Sequence, residues 1–203
     1  MNTNEPLQKI TVILDPGHGK STPGKRSPVL DDGRQLFEYQ YTRALCNKIQ
    51  ELLLKDNIRS ILTVLDDSDP SLSERAEIVN NIVKAENNKG NKCIFISVHG
   101  NAAGSGGWFA ANGWEIYTTE SQNNSDKLAK CFVDTFKDIF PDRKLRGHKE
   151  KNFTVIYKVN CVAVLTENFF YDNKSECEFM LSNECIELTS KLHVEAIKKY
   201  FNN

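Results

Sequence analysis

Three apolar runs constrain what this chain can fold into: Lys9–Asp15, Cys93–Val98 and Val162–Thr166. None alternates apolar with polar residues, as a strand with one wet face would. Near-continuous runs rich in Val and Ile belong to strands covered on both faces, which is the signature of a parallel sheet between helices. Each run is followed at once by polar residues: Pro16-Gly-His18 after the first, His99-Gly-Asn101 after the second, and Glu167-Asn168 after the third.

The intervening segments supply the covering helices. A helix is expected from about Phe37 to Lys55, with Tyr41, Leu45, Ile49 and Leu52 at helical spacing along one stripe. Ser71-Leu-Ser-Glu74 reads as a capping box opening a second helix, from about Leu72 to Glu86. Further helices are expected over Asn124–Phe140, ended by Pro141, over Ser175–Leu181, and over Glu184–Phe201. Shorter strands are expected at Ile58–Leu65, Trp114–Thr118 and Phe153–Tyr157. Residues 19–36 form a long polar loop, 102–113 a Gly- and Ala-rich one, and 142–152 a basic one. Strands alternating with helices predict an α/β fold: three layers, with a mostly parallel twisted sheet of about six strands and helices on both faces.

The 203 residues suit a single domain, 1–203, with residues 1–8 expected to be a flexible N-terminus. A net charge of −1 argues against a nucleic-acid binder. No apolar run approaches the ~18 residues of a membrane span, and the polar start lacks the apolar core of a signal peptide. The six cysteines show no CxxC pairing, and several lie in apolar runs, so free thiols are expected.

His18, His99 and Glu167 each follow a covered strand, and ligands of open α/β sheets bind beyond the carboxyl ends of such strands. Glu38 precedes Leu45, Ile49 and Leu52 by 7, 11 and 14 residues, which places it on the same helical stripe. A carboxylate there either favours the helix N-terminus or serves a buried partner. The four side chains can share one rim. Two imidazoles and a carboxylate are a common ligand set for catalytic zinc, which leaves a second carboxylate as base.

The series Asp15-Pro-Gly-His-Gly19, Glu38, Ser97-Val-His-Gly-Asn-Ala102 and Val164-Leu-Thr-Glu167 with Asn173 resembles the zinc-dependent N-acetylmuramoyl-L-alanine amidases of the amidase_3 type. Ser71–Ala76 with Asn80, and Arg146–Phe153, are similar to further segments of that family. The resemblance implies one zinc ion on His18, Glu38 and His99, with Glu167 as the catalytic carboxylate. It also implies a substrate, the amide between N-acetylmuramic acid and L-alanine in peptidoglycan or muropeptides. Two positions depart from the family pattern: Val64-Leu65 stands where an Arg is common, and Phe169 where a Gly commonly follows the catalytic carboxylate.

Substrate contacts are expected from Asn101, Trp108, Arg146, His148 and Lys149, the last three within a basic stretch suited to the carboxylates of a stem peptide. His193 is in phase with Ile186, Ile197 and Tyr200 and reads as a packing histidine. A monomer is favoured. Two alternatives remain open: another zinc peptidase or carboxypeptidase, or a non-catalytic peptidoglycan-binding module. Action at the bacterial cell wall would follow either phage-type release or export with a trimmed signal.

Overall fold

The computed structural model describes residues 10–120 and 123–202. The expected flexible start, residues 1–8, lies outside them. Among the described residues, six strands form one sheet: β1 (Ile10–Pro16), β2 (Arg59–Leu62), β3 (Lys92–Asn101), β4 (Trp114–Thr118), β5 (Leu145–Glu150) and β6 (Val162–Phe170), in the order β2-β1-β3-β6-β4-β5. β1, β2, β3 and β6 are parallel, while β4 pairs antiparallel to β6 and parallel to β5.

The helices are α1 (Glu38–Lys55), α2 (Leu72–Asn87), α3 (Asn123–Ile139), α4 (Thr154–Tyr157), α5 (Lys174–Met180) and α6 (Asn183–Phe201). Alternate strand residues feed two cores. Val12, Leu14, Ile94, Ile96 and Val164 pack against α1, α3 and α6, whereas Ile13, Phe95, Ala163 and Leu165 pack against α2 and α4. This gives three layers, and explains why the strand runs carry no polar face.

The parallel register places Pro16 beside Val98, Val98 beside Thr166 and His99 beside Glu167, so β1, β3 and β6 present their carboxyl ends along one edge. The capping box of α2 forms as expected, with Ser71 Oγ accepting from Glu74 N while Glu74 Oε2 accepts from Ser71 N.

Two expectations are corrected. Phe153–Tyr157 is not a strand: it contains the one-turn helix α4, whose Val155 and Ile156 are buried in the smaller core. An apolar run this short does not distinguish strand from helix by periodicity. The sixth strand is instead β5, inside the basic stretch. It lies at the sheet edge with a half-exposed, charged sequence, a common way of protecting an edge and one that hides the strand pattern. β3 and β6 also run further than expected, so His99 and Glu167 lie inside strands.

Candidate metal centre and active site

The turn after β1 is built to hold His18 in place. Gly17 N donates to Val98 O at 2.9 Å, and a Cβ on Gly17 would collide with the His99 ring, so only glycine lets the two segments approach this closely. His18 itself takes a left-handed backbone, φ 60°. That conformation is costly for a non-glycine residue and persists where its surroundings impose it. Here two guanidinium groups grip the His18 carbonyl, Arg43 at 3.0 Å and Arg75 at 3.1 Å. Arg75 is buried, and also donates to Asp15 Oδ1 and Pro16 O, both at 2.8 Å. Asp15 accepts further from Thr63 at 2.6 Å and from Ser97 at 2.9 Å. Thr42 of α1 donates to the Gly17 carbonyl at 2.9 Å.

Glu38, in the first turn of α1, is fully buried and reaches over the sheet edge to both histidines. Its Oε1 accepts from Gly100 N at 3.1 Å and lies 3.2 Å from His99 Nδ1; its Oε2 lies 3.5 Å from His18 Nε2. The two imidazole rings meet edge to face at 4.9 Å. One potential donor atom from each of the three residues falls within 4.8 Å of the others. Glu38 Oε2 has no hydrogen-bond partner, although it is buried. Such an orphaned carboxylate oxygen is expensive unless a cation completes it. Ligand atoms 2.0–2.1 Å from a tetrahedral ion stand about 3.4 Å apart; each histidine stands 3.2 or 3.5 Å from a Glu38 oxygen, and the three-atom set spans up to 4.8 Å. The residues therefore fit a metal ion.

The electrostatics are polarised across the site. Burial lowers His18 to about 4, with His99 and Lys25 adding to the fall while Glu38 and Asp69 oppose it. Burial also disfavours a charged His99, but its hydrogen bond to Glu38 and the neighbouring carboxylates prevail and raise it. Burial lifts Glu167 to about 7; Glu38 and Glu115 add to the rise, and His99 and Lys25 oppose it. Glu167 Oε2 is the second orphaned buried oxygen of the site. A cleft of about 260 Å³ opens against His18 and His99, walled by Asp69, Ser71, Leu72 and Val155.

His18, Glu38, His99 and Glu167 are thus brought to one edge, and Glu38 serves buried partners rather than only the helix terminus. Asn101 lies nearby, its Nδ2 donating to Glu115 Oε1 at 2.8 Å, and Arg146 and Lys149 converge on the same carboxylate. Trp108 is half-buried against the larger core. His148 lies on the face of β5 opposite Lys149, 2.7 Å from Thr118 Oγ1 and 3.6 Å from Asp126 of α3, because neighbouring strand residues alternate faces; the register shift at Trp114 and Glu115 lets Arg146, two residues before it, join Lys149 instead. His193 is fully buried as expected, its Nδ1 2.8 Å from the Thr189 carbonyl. Glu115 was missed by sequence reasoning. Its signal was a lone carboxylate between Trp114 and Ile116 in a short apolar strand.

The model of the family described as N-acetylmuramoyl-L-alanine amidase, Amidase_3, matches residues 12–199. The chain belongs to this family. Among curated relatives, this amidase is 28% identical to the N-acetylmuramoyl-L-alanine amidase CwlM of Bacillus licheniformis, over 95% of its own length and 69% of that protein's. It is 26% identical to the probable cell wall amidase LytH of Staphylococcus epidermidis, where it covers 99% of itself but 62% of LytH. Among solved structures, an N-acetylmuramoyl-L-alanine amidase from Clostridium difficile 630 superposes with a TM-score of 0.82 at 26% identity, covering 97% of this chain and 98% of that one. Family membership makes the chain a hydrolase acting on peptidoglycan. No described helix of this amidase is long and apolar enough to cross a membrane.

Proposed function

We propose that this amidase is a zinc enzyme of the cell wall in which His18, Glu38 and His99 hold one ion and Glu167 is the catalytic acid and base. The observation that carries the reading is the pair of orphaned buried oxygens, Glu38 Oε2 and Glu167 Oε2, beside two imidazoles on one sheet edge. When bound, zinc would supply Lewis acidity toward the amide carbonyl and toward water.

The remaining chemistry falls to the chain. Glu167 is lifted to about 7, so near neutrality it can both accept and donate a proton. It takes a proton from the water whose oxygen bonds to the lactyl carbonyl carbon. It returns a proton to the alanine nitrogen as the C–N bond breaks, leaving a muramoyl carboxylic acid and a free peptide amine. Asn168 keeps His99 in place meanwhile: its Nδ2 donates to the His99 carbonyl at 3.0 Å, and its Oδ1 accepts from Trp114 Nε1 at 2.9 Å.

The test is wall digestion with metal analysis. One zinc per chain and release of L-alanine amino groups without reducing sugars are expected. Glu167→Gln should retain the metal and lose activity about 10²–10⁴-fold, the usual contribution of a positioned acid–base group. An active Glu167→Gln protein, or release of reducing ends instead, would overturn the reading. Peptide products lacking an L-alanine terminus would point to a metallopeptidase, and metal-free binding without products to a wall-binding module.

A further inference from the structure

Glu115 of β4 stands directly opposite Glu167 of β6 in their antiparallel register. Residues so paired have Cβ atoms roughly 4.5–5.5 Å apart on one face of the sheet. Glu115 is buried, and four donors converge on its carboxylate: Asn101 Nδ2 and Tyr117 OH on Oε1, both at 2.8 Å, and Arg146 Nε at 2.6 Å with Lys149 Nζ at 2.5 Å on Oε2. Two cations therefore meet one anion, and the group keeps a surplus positive charge beside the proposed base.

The cations also keep unused donors. Lys149 spends one of three, and Arg146 spends Nε on Glu115, while its Nη1 makes only a long 3.4 Å contact to the Asn112 carbonyl. Both side chains are partly exposed, 27% for Arg146 and 38% for Lys149, so the free donors face outward above a buried counter-charge. Aromatic rings fix their directions: the Arg146 guanidinium lies 5.0 Å over Phe170, and the Lys149 ammonium 5.7 Å over Tyr117. A guanidinium and an ammonium with free donors, held at fixed orientation, suit a carboxylate.

We infer that Arg146 and Lys149, oriented by Glu115, form a subsite for a carboxylate on the peptide arm of the substrate. The inference rests on the amidase reading with Glu167 as its base. Strand pairing puts the subsite within about one to two extended residues, at 3.3–3.6 Å each, of the scissile bond. That distance selects the carboxylate of the stem residue that follows L-alanine. Glu115 is a positioning residue here: it touches no substrate, but fixes the two groups that do.

The test uses the zinc-loaded full chain and two soluble muropeptides, identical except that the residue after L-alanine carries a carboxylate in one and a carboxamide in the other. Wild-type protein should prefer the carboxylate substrate about tenfold, through KM, the scale of one hydrogen bond to a charged group. Lys149→Met and Arg146→Met should each bring the ratio of kcat/KM values toward one. Glu115→Gln should do the same; if that variant fails to fold, Lys149→Met and Arg146→Met carry the test. Lys130→Met, a charge loss on α3 paired with Asp134, should keep the wild-type ratio. Equal cleavage of both muropeptides by wild type, equal losses on both in the variants, or the same change in Lys130→Met would overturn the subsite. A wild type that turns over neither muropeptide overturns the amidase reading itself, and the subsite with it.

Discussion

Phe169 offers a sharp test of how the backbone around Glu167 is held. The register steps from His99 opposite Glu167 to Asn101 opposite Phe170, so Gly100 alone on β3 faces Asn168 and Phe169 on β6. Phe169 is the extra residue of this bulge and adopts φ 69°, while its ring is fully buried. The ring meets Phe140 and Phe179 edge to face, each at 5.4 Å, and the Arg143 guanidinium lies 5.3 Å from it. Two opposing terms follow. Truncating a buried Phe costs about 3–5 kcal/mol. Releasing a non-glycine residue from the left-handed region returns about 1–2 kcal/mol. Phe169→Ala therefore loses the packing and keeps the strain. Phe169→Gly loses the packing and sheds the strain, less about 0.5–1 kcal/mol for glycine's greater freedom when unfolded. Both variants should be destabilised, but Gly should be more stable than Ala by about 0.5–1 kcal/mol, the reverse of the usual order in a strand. Urea unfolding of chelator-treated protein, followed by the fluorescence of Trp108 and Trp114, measures the difference. An alanine variant as stable as the glycine one, at equal m-value, would refute the account of the bulge.

Removal of Arg75 should be severe for a different reason, because Arg75→Met leaves Asp15 buried with its charge uncompensated, frees the Pro16 carbonyl and leaves the His18 carbonyl to Arg43 alone. A loss of about 3–5 kcal/mol in urea unfolding, with weaker zinc uptake in a competition titration, is expected; a loss under 1 kcal/mol would show that the pair does not hold the turn. His193 sets a pH dependence. Burial lowers it to about 4, opposed by its bond to the Thr189 carbonyl, against about 6.5 when unfolded. The unfolded chain then binds the extra proton between those values, so this contribution is whole above pH 6.5 and is lost as pH falls toward 4, by at most about 3 kcal/mol. The stability difference between wild type and His193→Phe should shrink by that amount across the window, and a constant difference would contradict it.

The geometry of the candidate metal centre was legible because its residues sit where topology forces convergence. Covered strands imply a parallel sheet, parallel strands share a carboxyl edge, and a helix leaving that edge begins on it. Glu38 could be placed on the core stripe of α1 from spacing alone. What stayed hidden depends on pairing between distant strands. β5 carries Leu145-Arg-Gly-His-Lys-Glu150, whose pattern says only that it is charged. Its role appears once β4 supplies Glu115 to gather Arg146 and Lys149. The gripping of His18 by Arg43 and Arg75 was equally invisible, because both guanidiniums reach backbone carbonyls, which leave no mark in a sequence.

Glu115 and Glu167 show how little residue type alone decides. They are the same side chain, paired across two strands, on the same face of the sheet. Burial works against the charged form of both. Glu115 receives four donors, two of them cationic, which overcome burial and hold it down at about 2, so it remains an anion that organises its neighbours. Glu167 is given no donor at Oε2 and is lifted to about 7, where a proton can come and go. Pairs of carboxylates whose surroundings drive them apart mark a division of labour in acid–base sites. Here the division is built by register: a slip of one residue between β4 and β6 would move Glu115 to the far face of the sheet, and take its fixed charge from beside the proposed base.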